Sequence, residues 1–163
     1  MELSKVKLIV LDFDGVLTNN KVLLNDQGEE FVICSRADGL AFDALRILKL
    51  KTIILSTEKS KVVSSRAKKL QVECIQGIAN KKNKLIELFK KYKLDRGEVL
   101  FVGNDINDIN AMSLCELTFC PNDSHEKVKK IAKVVLKTNG GEGVMREILE
   151  TCFQLDLHKV LFS

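Results

Sequence analysis

Two aspartates follow a run of apolar residues near the amino end of the chain. The segment Val6–Leu11 (VKLIVL) is typical of a buried strand, and Asp12 and Asp14 come directly after it. A buried carboxylate is costly unless it is paired or binds a metal. Residues two apart on an extended chain point the same way. The two acids therefore indicate one pocket that holds a cation.

Two more apolar segments end in residues that suit the same chemistry. Lys51–Leu55 (KTIIL) leads into Ser56, and Val99–Val102 (VLFV) leads into GNDIND at residues 103–108. Carboxylate and amide oxygens are ligands that Mg²⁺ prefers, and this ion keeps open positions for water and phosphate. A carboxylate can also be a covalent nucleophile, as in aspartyl-phosphate enzymes. The hydroxyl of Ser56 and the cation of Lys81 would bind phosphoryl oxygens.

Each of these motifs also has a purely structural interpretation. A DxD pair is common in loops, a Ser-Thr pair after a strand often caps a helix, and GNDIND could form only a turn. All of them occur in order, each after an apolar strand, and that context favours a phosphoryl-transfer site.

Short apolar strands alternate with helices along the chain. The segments Val22–Leu24 and Glu30–Cys34 flank the turn sequence NDQG and predict a hairpin. Further strands are predicted over residues 72–75, 117–119 and 134–136, and helices over residues 38–48, 60–70, 81–92, 107–115, 125–132 and 143–153. This alternation predicts an α/β fold with a mostly parallel sheet, whose ligands bind beyond the carboxyl ends of the strands.

Composition excludes several classes of function. The 163 residues carry a net charge of +4 without a basic stripe, which argues against a nucleic-acid partner. No apolar run approaches the length of a membrane span, so no membrane partner is expected. The five cysteines are odd in number and lack a CxxC spacing, which favours free thiols and a cytoplasmic protein.

The motifs DFDGVLT, LST, a lysine after QG, and VGNDIND resemble the four ordered motifs of the haloacid dehalogenase-like phosphatases. Together with SRADGLAF, QGIANK and GGEGVMRE, they resemble the capless branch that acts on 3-deoxy-2-ulosonic sugar acid phosphates. The resemblance extends to about Glu150. It implies a Rossmann-like three-layer sandwich, with residues 1–163 as a single domain. A hairpin at about 22–34 would replace the cap domain, and a C-terminal tail would span about 140–163.

The resemblance assigns roles by position. It implies that Asp12 is the nucleophile and that Asp14 is the general acid and base. Ser56 and Lys81 would hold the phosphoryl group, with Lys82 as the near alternative to Lys81.

The resemblance also implies a Mg²⁺ site made by Asp12, the main-chain carbonyl of Asp14 and an acid of the last motif. The octulosonate phosphatases usually have GDD there, whereas this chain has Asn104 and Asp105 after the glycine. Either Asn104 or Asp105 is the ligand, and Asp108 is a further candidate.

A second departure concerns the substrate. The octulosonate branch usually has Gly-Arg after the second strand, where this chain has Ser-Thr-Glu. Thr57 belongs to that triplet, and Glu58, Arg66 and Lys69 resemble leaving-group contacts of the nine-carbon phosphatases. A solvated helix face is the competing interpretation of these charges. We expect a nonulosonate 9-phosphate, such as KDN 9-phosphate or an N-acylneuraminate 9-phosphate, as the substrate. The alternative is 3-deoxy-D-manno-octulosonate 8-phosphate.

A capless site is open to water, and the resemblance implies a homotetramer in which neighbours close it. The segment GGEGVMRE would reach an adjacent site, where Arg146 would be a second anion contact. An alternative of another class is a non-catalytic oligomerisation or regulatory module, like the domain attached to some acylneuraminate cytidylyltransferases. The presence of Asp12, Asp14, Ser56 and Lys81 favours an enzyme.

Overall fold

A six-stranded parallel sheet forms the centre of the computed structural model, which describes residues 1–163. Its strands are β1 (Leu8–Leu11), β4 (Lys51–Leu55), β5 (Glu73–Ile75), β6 (Val99–Val102), β7 (Leu117–Cys120) and β8 (Val134–Val135). They have the order β5-β4-β1-β6-β7-β8, and every neighbouring pair is parallel. The parallel α/β fold expected from the sequence is therefore confirmed.

Helices cover both faces of this sheet. They are α1 (Arg36–Ile47), α2 (Lys61–Leu70), α3 (Lys81–Tyr92), α4 (Ile109–Met112), α5 (Glu126–Ile131), α6 (Val144–Glu147) and α7 (Leu157–Phe162), and a π-type turn (Ile148–Cys152) extends α6. One core layer packs α1, α2, α6 and α7 against the sheet, and the other packs α3, α4 and α5. Alternate residues of β1 divide between them, since Ile9 and Leu11 face the first layer and Leu8 and Val10 face the second. None of the helices combines the length and apolar character that crossing a membrane requires.

The register of the sheet brings the chemically interesting strand ends together. Leu11 at the end of β1 pairs with Ile54 of β4 and with Val102 of β6. The residues that follow these three positions therefore emerge at one edge of the sheet. The strand order also reverses beside β1, and such a switch point is where open α/β sheets place their ligands.

A short antiparallel hairpin, β2 (Leu23–Leu24) and β3 (Glu30–Phe31), stands apart from the sheet. An isolated bridge between Thr18 and Cys34 closes its base. The strands are shorter than the sequence pattern predicts, and both are exposed. The hairpin is too small to form a separate cap over the edge of the sheet.

The helix predicted over residues 143–153 is shorter and irregular, since regular α-helical geometry ends at Glu147. The chain then folds into α7, which the sequence analysis did not predict. Leu157 of α7 is buried in the same core layer as Leu45 of α1, so the C-terminal residues pack on their own chain.

Candidate active site

Asp12 is the first residue after β1, and it is buried with 5% of its surface exposed. Its Oδ1 accepts a hydrogen bond of 2.7 Å from the main-chain N–H of Phe13. Its Oδ2 lies 2.7 Å from Nζ of Lys81. The carboxylate is therefore fixed at both oxygens, as an attacking group has to be.

Lys81 is the first residue of α3, after Asn80, whose side chain caps that helix. Its buried ammonium lies 2.7 Å from Asp12 and 2.7 Å from Asp108. Burial by itself lowers the pKa of Lys81, but the charges of Asp12 and Asp108 outweigh it and raise the pKa overall. The ammonium therefore stays charged. Its neighbour Lys82, the near alternative from the sequence, is exposed on α3.

The electrostatics at Asp12 are those of a site short of positive charge. Burial, and then the charge of Asp108, raise the pKa of Asp12 to about 7, although Lys81 acts in the opposite direction. Two buried carboxylates share one ammonium here. A divalent cation beside Asp12 would supply the missing positive charge and favour its ionised form.

Asp14 lies two residues further on and is half-buried. Burial is the main cause that raises its pKa, followed by the charges of Glu58 and Glu30, while Lys81 opposes them. A raised carboxyl pKa suits a group that donates a proton near neutral pH.

Ser56 is the first residue after β4 and is almost completely buried. Its main-chain N–H donates to the carbonyl of Ile75, and its Oγ accepts from the N–H of Glu58 at 3.1 Å. The hydroxyl is therefore held in a tight turn with its own hydrogen still to donate.

Three residues after β6 have side-chain oxygens that differ in burial and in hydrogen bonding: Asn104, Asp105 and Asp108. Asp108 is buried, and its Oδ1 bonds Lys81 while its Oδ2 accepts from the N–H groups of Asn104 and Asp105. This geometry makes Asp108 a support for Lys81 and the turn, and it does not match the metal-ligand role expected from the sequence. Asp105 is half-buried, and its Oδ1 accepts from Ile106 N–H at 2.7 Å.

Asn104 differs from both of these acids. Only 6% of its surface is exposed, and its Oδ1 is buried without any hydrogen-bond partner. An orphaned buried oxygen is costly, and a bound cation would satisfy it. Asp12, Asp14, Asn104 and Asp105 line one cavity of about 200 Å³. The Asp12 carboxylate and the unpaired Asn104 oxygen are hard oxygen donors of the kind that fits Mg²⁺.

The proposed substrate residues are not all brought to this cavity. Thr57 and Glu58 line it. Arg66 instead donates to the carbonyl of Ser35 at 2.7 Å, although its Nε is buried without a partner. Lys69 is exposed on α2.

Arg146 lies elsewhere. It pairs with Glu150 at 3.0 Å and lines a separate cavity of about 380 Å³ beside α7. The GGEGVMRE segment likewise packs on residues 15–19 of its own chain rather than extending away from it. The expectation that this segment reaches an adjacent site stays a prediction.

A second cavity of about 310 Å³ adjoins the first, and the two share Asp14, Asn20 and Glu58. Its other wall comes from the hairpin, through Val22, Glu30 and Val32. Sequence reasoning missed Glu30 and Asn20. The alternation of the hairpin, in which residues 30 and 32 share a face, is the signal that could have found Glu30.

Comparisons with known proteins identify the family of this chain. Residues 29–148 match the model of a family described as haloacid dehalogenase-like hydrolases. A 3-deoxy-D-manno-octulosonate 8-phosphate phosphatase of Haemophilus influenzae is 27% identical over 154 residues, which are 94% of this chain and 86% of that protein.

Solved structures show the same fold. A haloacid dehalogenase family hydrolase of Streptomyces avermitilis has a TM-score of 0.89 and 37% identity, covering 92% of this chain and 86% of that one. The 3-deoxy-D-manno-octulosonate 8-phosphate phosphatase of Moraxella catarrhalis, in complex with magnesium, phosphate and KDO, has a TM-score of 0.86 and 26% identity, covering 97% and 88%. The chain therefore belongs to the haloacid dehalogenase-like hydrolase family, and it is a phosphatase.

Proposed function

We propose that this protein is a Mg²⁺-dependent phosphomonoesterase that releases phosphate from a 3-deoxy-2-ulosonic sugar acid phosphate through an aspartyl-phosphate on Asp12. The observation that carries the proposal is the buried chain Asp12–Lys81–Asp108 at the end of β1, with Asp14 and Asn104 in the same cavity. A fixed nucleophile, a cation and an acid of raised pKa are the groups that such a reaction needs.

The residues would act in two steps. An Asp12 oxygen attacks phosphorus, the bond between phosphorus and the leaving oxygen breaks, and Asp14 donates its proton to that alkoxide. Asp14, now ionised, takes a proton from water, whose oxygen attacks the phosphorus and releases Asp12 and inorganic phosphate. Lys81 and the Ser56 hydroxyl hold the equatorial oxygens through both steps, where positioning and charge contribute most.

The metal would be held by the carboxylate of Asp12, the main-chain carbonyl of Asp14 and the unpaired Oδ1 of Asn104, with Asp105 as the alternative donor. When bound there, Mg²⁺ would supply positive charge against the phosphoryl oxygens and Asp12. Asn104 is the stronger candidate because its oxygen lacks any partner, whereas Asp105 already caps its own turn.

A nonulosonate 9-phosphate is the substrate we propose first. Glu58 lines both cavities, and Glu30 faces it across the second one, so the leaving group meets acceptors for hydroxyl or amide hydrogens. Four valines of the same cavity suit the carbon chain or an N-acyl methyl group: Val22, Val32, Val62 and Val63. The second candidate is the eight-carbon 8-phosphate, which the names of the similar proteins favour.

We further propose that the protein assembles as a homotetramer through its hairpin. The hairpin carries Leu23, Phe31 and Ile33 on the face opposite Val22, Glu30 and Val32, and these three side chains are 71%, 52% and 71% exposed. Three neighbouring large apolar side chains in water favour association with a second copy. Leu23→Lys with Ile33→Lys should lower the mass measured by light scattering, and an unchanged mass would contradict this interface.

A phosphate-release panel tests the function. The purified protein is given KDN 9-phosphate, N-acetylneuraminate 9-phosphate, octulosonate 8-phosphate and p-nitrophenyl phosphate with Mg²⁺. The Asp12→Asn variant should lower kcat by roughly a thousandfold or more on the best substrate, because an amide cannot form the acyl-phosphate. Asp26→Asn in the hairpin turn is the matched control. Turnover by Asp12→Asn within about tenfold of the parent would exclude a covalent role.

A further inference from the structure

Residues 140–143, here named the strap, cross the loop that carries Asp14. The strap lies between β8 and α6, and two of its N–H groups are anchored in this region. Gly140 N–H donates to Oδ1 of Asp123 at 2.9 Å, and Gly141 N–H donates to the carbonyl of Val16 at 3.0 Å. The strap is therefore hydrogen-bonded both to the loop that carries Asp14 and to the turn after β7.

The contact between strap and loop is one of backbone against backbone. A Cβ on Gly140 would lie 2.2 Å from the carbonyl oxygen of Gly15 and 2.8 Å from that of Thr18. A Cβ on Gly141 would lie 2.6 Å from Asn19 N, and Gly141 also has a φ of +75°. Main-chain atoms cannot swing aside as flexible side chains can, so only glycine fits at these two positions.

Gly15 is enclosed from a second direction. A Cβ there would lie 2.0 Å from Nδ2 of Asn104, so the Asn104 amide fills the space that a side chain would take. The residue after Asp14 is thus held between Asn104, the candidate metal ligand, and Gly140 of the strap. A side chain at position 140 would therefore displace the main chain next to Asp14.

Both ends of the strap are fixed by carboxylates. Before it, the N–H groups of Lys137 and Thr138 donate to Glu147 at 3.0 and 2.8 Å. After it, Met145 N–H donates to the fully buried Asp38 at 2.8 Å. These bonds make the strap a stiff element rather than a loose tail.

We propose that the strap is a positioning element that holds Asp14 where it can protonate the leaving alkoxide, and that Gly140 and Asp123 are its positioning residues. The proposal rests on the general-acid role of Asp14 given under Proposed function. It gives the GGEG sequence a role within its own subunit. An error of about 1 Å in the placement of a reacting group can cost on the order of a hundredfold in rate.

The test compares two leaving groups. An alkoxide must be protonated as it departs, whereas p-nitrophenolate leaves without a general acid. Values of kcat/KM are measured for the best alkyl phosphate of the panel and for p-nitrophenyl phosphate, since kcat/KM covers the steps up to cleavage of the ester. A purely structural defect would lower both values alike.

Asp123→Ala removes the anchor of Gly140, and Gly140→Ala adds the clashing Cβ. We expect each to lower kcat/KM for the alkyl phosphate by roughly tenfold to a hundredfold. The factor by which kcat/KM falls for p-nitrophenyl phosphate should be smaller by about fivefold or more. Asp123→Asn keeps an accepting oxygen and should recover most of the loss. Glu142→Ala, an exposed strap residue without a side-chain hydrogen bond, is the control and should change neither value. Thermal unfolding identifies variants that do not fold. If Gly140→Ala does not fold, the test is made with Asp123→Ala.

Asp14→Asn provides the reference. Asp14→Asn should lower kcat/KM more for the alkyl phosphate than for p-nitrophenyl phosphate, which is here called discrimination. If Asp14→Asn discriminates while Asp123→Ala lowers both values equally or neither, the strap proposal is overturned and the role of Asp14 stands. If Asp14→Asn does not discriminate, the general-acid role of Asp14 fails and the strap proposal fails with it. Discrimination by Asp14→Asn and Asp123→Ala together, with rescue by Asp123→Asn, supports both.

Discussion

Lys81 and Asp108 form an ion pair of 2.7 Å in which neither side chain has any exposed surface. The same ammonium lies 2.7 Å from Asp12. Asp108 therefore acts on the position of the nucleophile through Lys81, although Asp108 does not line the cavity. Asp108 also fixes the turn after β6, because its Oδ2 accepts from the N–H groups of Asn104 and Asp105. Replacing Asp108 disturbs these buried hydrogen bonds and the hold on Lys81, although Lys81 keeps Asp12 as a partner.

Asp108→Asn should therefore cost both stability and activity. We expect a loss of about 1–3 kcal/mol in the free energy of unfolding, measured by urea denaturation, because buried groups lose hydrogen-bond partners. We also expect kcat to fall by about tenfold or more, because Lys81 is no longer held in place. Saturating Mg²⁺ should not restore the rate, and restoration by Mg²⁺ would instead make Asp108 a metal ligand.

Glu87→Gln is the matched control for this substitution. Glu87 pairs with Lys84 of the same helix at the same distance of 2.7 Å, but its side chain is 65% exposed. Exposed pairs contribute about 0–1 kcal/mol, so this variant should retain its stability and activity.

The sequence predicted the parts of this site that local patterns determine. The apolar segments that become β1, β4 and β6 are strongly patterned, and their ends carry Asp12, Ser56 and Asn104 as expected. What could not be predicted depends on contacts distant in sequence. The Lys81–Asp108 pair spans 27 positions, and the bond from Met145 to Asp38 spans 107. No periodicity reports such pairings, because they arise only once the sheet and helices have packed.

The metal site leads to a prediction about charge. Asn104→Asp adds a third carboxylate beside Asp12 and Asp14 in almost the same shape. Without metal, repulsion among these acids should lower the thermal midpoint. With Mg²⁺, the extra charge should tighten binding by about one order of magnitude in calorimetric titration. Asp105→Asn is the companion variant. If Asp105→Asn binds Mg²⁺ more weakly than the parent and Asn104→Asp binds it with unchanged affinity, Asp105 is the ligand.

The acidic wall of the second cavity predicts substrate selectivity. Glu30→Gln and Glu58→Gln weaken the acceptors that face the leaving group. Each should lower kcat/KM for the sugar acid phosphate by about one to two decades, and it should barely affect p-nitrophenyl phosphate. Glu87→Gln, exposed on α3 and outside both cavities, is the control here as well. Equal losses on both substrates would mean that the two residues support the phosphoryl site or the fold.

The same two substitutions should change the pH profile. After burial, the charges of Glu58 and Glu30 raise the pKa of Asp14, so removing either charge lowers that pKa. A general acid loses its proton as pH rises through its pKa, and the alkaline limb of kcat/KM should therefore move to lower pH. A limb that stays in place, or moves upward, would show that these carboxylates do not act on Asp14.

Asp38 predicts a pH dependence of stability that is separate from catalysis. It is completely buried in α1, its Oδ1 accepts from Met145 N–H, and its Oδ2 has no partner. Burial raises the pKa of Asp38 to about 6, although the N–H groups of Met145 and Arg146 and the charge of Arg66 act in the opposite direction. Its ordinary value is 3.8, so the folded state holds this proton more tightly than the unfolded state does.

The sign of the effect follows from this difference. The stabilising contribution of the protonated carboxyl is complete below about pH 4 and is lost as pH rises through about 6. Across that window it amounts to at most about 3 kcal/mol, since each pKa unit corresponds to about 1.4 kcal/mol.

Asp38→Asn keeps the accepting oxygen for Met145 and removes the titration. Its free energy of unfolding, relative to the parent, should therefore be more favourable at pH 7.5 than at pH 4.5, as measured by urea denaturation. Asp43→Asn, on the exposed side of the same helix, is the control and should show a much smaller change. A relative stability of Asp38→Asn that is independent of pH, or that improves towards pH 4.5, would show that Asp38 is already ionised throughout this range in the folded protein.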